Sequence, residues 1–168
     1  MNNKRFMLAF LFFIVGIYSC KVPQTRAEFV SMIKEGGTLA RVESKTVKKS
    51  FSEVYNRLKS RANKCFNIQV VSTVRQGYST SSSTSIYKST SKRLSGSKGE
   101  ITVRVNFIPK PLGNMPKGGM YKYAIDIKKL SGSKTKVTIY GPSMGSDDFF
   151  AAVTKWSKGK TVGCPKLN

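Results

Sequence analysis

Ile101-Thr102-Val103-Arg104-Val105-Asn106-Phe107 and Tyr121-Lys122-Tyr123-Ala124-Ile125-Asp126-Ile127 decide how this chain folds. In the first, apolar and polar side chains alternate strictly; in the second, Tyr121, Tyr123, Ile125 and Ile127 alternate with Lys122, Ala124 and Asp126. Successive side chains of a strand point to opposite faces, so the pattern predicts strands buried on one face only. Val137 and Ile139 continue it downstream. Upstream, Ile68 to Val74 is apolar and β-branched, residues 84–91 are a weaker candidate, and residues 38–46 read weakly as another strand. Together they predict a half-buried antiparallel sheet of about five or six strands. Two similar hexapeptides, Arg93-Leu94-Ser95-Gly96-Ser97-Lys98 and Lys129-Leu130-Ser131-Gly132-Ser133-Lys134, fall between strand candidates. Both read as hairpin turns with glycine at positive φ.

A sheet with one apolar face needs a cover. Ser50-Phe51-Ser52-Glu53 is a capping box, and Phe51, Val54, Tyr55, Leu58, Ala62 and Cys65 follow on one helical face. A second helix is expected from about 147 to 158, capped by Ser146, with Asp147 and Asp148 in its first turn and Phe149, Val153 and Trp156 as its apolar stripe. Thr25-Arg26-Ala27-Glu28 is another capping box and opens a short helix at 26–35, ended by Gly36-Gly37. The expected fold is α+β: two amphipathic helices packed on one face of the sheet, preceded by the short N-terminal helix. The element order β-α-β-β-β-β-β-α is similar to that of helix-grip modules, found in some outer-membrane assembly lipoproteins and lipid-binding domains. The similarity is of order only and does not fix function.

The N-terminus has the parts of a secretion signal. Lys4 and Arg5 are followed by an uncharged run from Phe6 to Tyr18, too short to span a bilayer comfortably. The residues Ile17-Tyr18-Ser19-Cys20 resemble the lipobox of bacterial lipoproteins. The resemblance implies a signal peptide at 1–19, a lipidated tether and short helix at 20–37, and a single α+β domain at 38–168. It implies acyl chains (palmitate among them) on Cys20. Lys21, by the rule of that family in Gram-negative cells, implies an outer-membrane location facing the periplasm. Lipid on Cys20 leaves Cys65 and Cys164 as a pair, and an oxidising compartment permits their disulfide; two buried free thiols are the alternative.

The chain carries +22, and removal of residues 1–19 takes away only Lys4 and Arg5, leaving +20. The cations are spread along the domain, among them Lys45, Arg57, Arg61, Lys64, Lys128 and Lys136. Such a charge attracts anionic partners. The membrane is expected as a partner through the lipid anchor; anionic lipid, lipopolysaccharide, peptidoglycan or an envelope protein are the candidates beyond it. Nucleic acid is not expected outside the cytoplasm. The bland alternative is a repelling, soluble surface with no ligand.

Little in the chain promises chemistry. There is no histidine, the commonest general base and metal ligand. No zinc spacing occurs, and the serines lack a nucleophile-elbow context. A non-enzymatic protein without cofactor or metal is therefore expected, with a lipid or small-molecule carrier as the alternative. Two segments are candidates for binding. Twelve of residues 79–97 are Ser or Thr, and Tyr78, Tyr87, Lys88, Lys92 and Arg93 accompany them; a mobile projecting hairpin is the competing reading. Residues 106–121 form a long Pro/Gly loop bearing Met115 and Met120, which suit a greasy contact.

Overall fold

In chain order the elements are α1 (Arg26–Glu35), a 3-10 turn (Gly37–Leu39), β1 (Ala40–Val47), α2 (Phe51–Phe66), β2 (Ile68–Gln76), β3 (Ser79–Arg93), β4 (Lys98–Ile108), β5 (Met120–Lys129), β6 (Thr135–Pro142) and α3 (Asp147–Ser157). The structure, a computed structural model, describes residues 22–111 and 114–167, with the backbone alone for Gln76 and Ser79. The expected signal peptide, Cys20 and Gly113 lie outside the described residues.

The strands form one antiparallel sheet of order β1-β6-β5-β4-β3-β2. β2 to β6 are a meander, and β1 closes the far edge by pairing with β6. This is the α+β architecture expected from the alternating segments. α2 and α3 pack on one face. Their stripes meet Ile101, Val103, Tyr123, Ile125, Val137 and Ile139 in a single core. Phe149 stacks on Tyr123 with ring centroids 3.7 Å apart, and Phe66 and Trp156 fill the space beside them. Gly99 lets α2 approach, since a Cβ there would lie 2.6 Å from the Tyr55 ring.

α1 packs on the opposite face. Phe29, Val30 and Ile33 form a second, smaller core with Tyr121, Ala124 and Tyr140. The alternation of β5 had placed Tyr121 beside Tyr123. A register shift separates them: Val103 pairs with Tyr123 and Arg104 with Tyr121, so Lys122 is an extra residue. Such a bulge sends the side chains beyond it to the other face. Tyr121 there stacks on Phe29 at 5.7 Å.

Other expectations are corrected in detail. Residues 79–93 are one fifteen-residue strand, and 79–83 pair with β2 alone, so the hairpin expected there projects beyond the end of β4. The long loop is Pro109 to Gly119, because β4 runs to Ile108 and β5 starts at Met120. Gly132 has the expected positive φ of 53°, whereas Gly96 does not adopt one. Thr25 and Ser50 accept the backbone N–H of Glu28 and Glu53 as expected. Ser146 stands at the start of α3 but makes no side-chain cap; its hydroxyl lies 3.2 Å from that of Tyr123.

Candidate functional site

The residues singled out by sequence do not converge. Tyr78 is fully exposed at the hairpin tip. Tyr87 is 4% exposed and belongs to the main core, where its phenol accepts from Lys122 Nζ at 3.2 Å. Lys88 and Lys92 are exposed on the other face of β3. Arg93 lies on the helix side, with its guanidinium 5.1 Å from the Phe51 ring centre and a bond to Ser52 Oγ. Met115 is half-buried in the loop, and Met120 packs against the main core from the start of β5. Tyr87 and Met120 are thus core residues: each stands on the β-face that the helices cover. Cys65 and Cys164 are joined, with Cα atoms 5.3 Å apart.

Residues 114–119 of the Pro/Gly loop are folded down onto the sheet. Arg104 stacks on Tyr121 with 4.3 Å to the ring centre, donates to the Tyr121 hydroxyl, and donates from Nη1 to the Lys117 carbonyl at 3.0 Å. Gln24 Nε2 donates to the Asn114 carbonyl at 3.2 Å. The segment before α1 therefore docks beside this loop. Arg26, at the start of α1, reaches Glu100 at 3.2 Å and Asp126 at 2.5 Å. These two acids gather on one arginine. Tyr140 donates to Asp126 at 3.0 Å; burial, then the Asp126 charge, push its phenol up to about 12.

The most distinctive grouping is cationic. The two similar hexapeptides form the β3–β4 and β5–β6 turns, side by side at one end of the sheet. Each closes with the same bond: Leu94 N–H to the Lys98 carbonyl and Leu130 N–H to the Lys134 carbonyl, both 3.0 Å. Lys129 N–H donates to the Ser97 carbonyl at 2.8 Å and links them. Lys98 pairs with Lys128, and Lys128 with Lys136, so three lysines stand in one cross-strand row. All three are exposed. Among the described residues no carboxylate lies within ion-pair distance of them. Like charges directly opposite destabilise a sheet, by up to about 1 kcal/mol per pair in water at this spacing. Sequence reading found both hexapeptides and missed the row, because adjacency across strands depends on register.

Two further basic surfaces lie on the helix side. Arg57, Arg61 and Lys64 line an open groove of about 600 Å³ along α2. Its acid, Glu53, holds Lys49 and Arg57, and the hydrogen bond from Lys49 keeps its carboxyl below the usual range. Arg41, Lys155, Lys158 and Lys160 line a cleft of about 480 Å³ between β1 and α3. There Glu43 and Asp147 engage Arg41 and push its pKa up. Among the described residues, no group of three or more Cys, Asp and Glu is placed to hold a metal, and no helix is long and apolar enough to cross a membrane. The arrangement suits binding of negative charge. Comparison with protein-family models and with curated proteins finds no match to this chain.

Proposed function

We propose that this protein is a non-enzymatic lipoprotein of a bacterial cell envelope, held in the membrane by acyl chains on Cys20, whose basic surface binds an anionic envelope component or a protein partner. The observation that carries the reading is where the acids are. Glu43, Glu53, Glu100, Asp126 and Asp147 are each spent on an internal ion pair. The excess of lysine and arginine is thereby left facing solvent without internal compensation, as a surface for external anions. Lys21 favours the outer membrane, with the domain in the periplasm. The carrier alternative gains no support from the packing, because Phe66, Phe149 and Trp156 occupy the space between helices and sheet.

The test is metabolic labelling with palmitate, followed by fractionation in high salt. The native chain is expected to carry label and stay with membranes. Cys20→Ser is expected to lose both. A Cys20→Ser chain found in membranes at the mature size, without its leader, overturns the reading.

A further inference from the structure

We infer that the end of the sheet formed by the twin turns is a docking surface for an anionic phospholipid bilayer, with Leu94 and Leu130 entering the interface and the lysine row binding headgroup phosphates. This deepens the proposed function by naming a surface and a ligand.

Two observations carry it. First, each turn presents one leucine to solvent, Leu94 at 47% and Leu130 at 46% exposure. The turns are tied together by the Lys129–Ser97 bond, so the leucines project from one rigid edge. A lone exposed leucine needs no explanation; two in equivalent places of paired turns, each flanked by cations, form a pattern. Second, the row Lys98, Lys128 and Lys136 lies just behind them. A sheet gains nothing from that repulsion, and a surface of phosphates relieves it. Apolar tips with a basic collar match the interfacial layering of a bilayer, acyl boundary beneath and phosphates above.

The opposite end of the sheet also exposes apolar groups. Leu39 and Met144 stand beside Asp147 and Asp148 at the start of α3, where negative charge opposes an anionic surface, and Val74, Tyr78 and Ile108 stand at the β2–β3 tip and the end of β4, away from the lysine row. The stacked lysines therefore select the turn end.

The experiment uses the full chain with Cys20→Ser, so that acylation plays no part. An environment-sensitive fluorophore is placed on Leu94→Cys, on Leu130→Cys, or on Tyr78→Cys at the far tip. Vesicles contain either phosphatidylcholine alone or phosphatidylcholine with phosphatidylglycerol. The fluorophores at 94 and 130 are expected to shift to the blue, and to be quenched by lipid-borne nitroxide, on the anionic vesicles; the one at 78 is expected to stay in water. Each lysine near such a surface contributes about 1 kcal/mol. Lys98→Gln with Lys128→Gln and Lys136→Gln should therefore cut the preference for anionic over zwitterionic vesicles about a hundredfold. Taking the preference cancels any binding by the leader, and circular dichroism checks that the triple variant is folded. No shift at 94 and 130, an equal shift at 78, or an unchanged preference in the triple variant overturns the inference. The palmitate result is independent: its failure removes the anchor and leaves the docking surface, and the reverse outcome does the opposite.

Discussion

The two ends of the sheet solve opposite problems. At the turn end, like charges are stacked in register and the strands are joined by tight four- and five-residue connections. At the other end, α2 finishes, α3 begins with Asp147 and Asp148, and the C-terminal segment returns to be fixed covalently at Cys65. Acid at a helix start is favourable. The far end is therefore built for stability, whereas the lysine row is a local cost. A surface that the fold maintains at a loss is a better candidate for function than one that its own packing explains.

The comparison can be broken at either end. Removing the disulfide should have the largest effect. With its cysteines 99 positions apart in sequence, Cys65→Ala with Cys164→Ala is expected to cost about 4–5 kcal/mol in denaturant unfolding. A loss below about 1 kcal/mol would show that packing alone holds that end. Next, Arg26→Ala removes the ion pairs of Glu100 and Asp126, leaving Asp126 only its bond from Tyr140, and should cost about 2 kcal/mol. Amide exchange should quicken in α1 while α2 stays protected.

Tyr140→Phe is expected to cost about 1 kcal/mol at neutral pH by removing the bond to Asp126. It should also change the alkaline limb. The folded phenol holds its proton up to about 12 against an ordinary 10.0, so its contribution is complete below about pH 10 and is lost as pH rises towards 12. The variant should lack that part of the decline. Lys128→Glu should go the other way, gaining about 0.5 kcal/mol as two repulsions become attractions, while preference for anionic vesicles falls. A loss of stability there would mean that the row is not strained. The smallest effect belongs to Glu53. Its carboxyl titrates below the ordinary range, so its contribution is present above that range and fades as pH falls through the lowered value. Glu53→Gln should flatten this acid limb slightly.

Alternation in residues 101–107 and the caps at Thr25 and Ser50 were enough to read the sheet and the helix starts, because those signals are local. Tyr121 was misread because a bulge at Lys122 leaves no mark in a pattern that still alternates by eye. The Ser/Thr-rich stretch read as loose, yet most of it is β3, held by neighbours on both sides from Thr84 to Tyr87 and by one neighbour beyond. Tertiary pairing overrides weak local preference there. The site was harder still. Tyr87 and Lys88 were grouped by sequence proximity, although neighbouring strand residues face opposite ways. Lys98, Lys128 and Lys136 belong together only once three strands are aligned.

The placement of α1 has a mechanical consequence. Its apolar contacts form a small cluster of their own, separate from the main core. A pull on the N-terminal segment would load Arg26 and that cluster first. The helix would peel away as a fuse, and the six-stranded sheet with its two covering helices would outlast it.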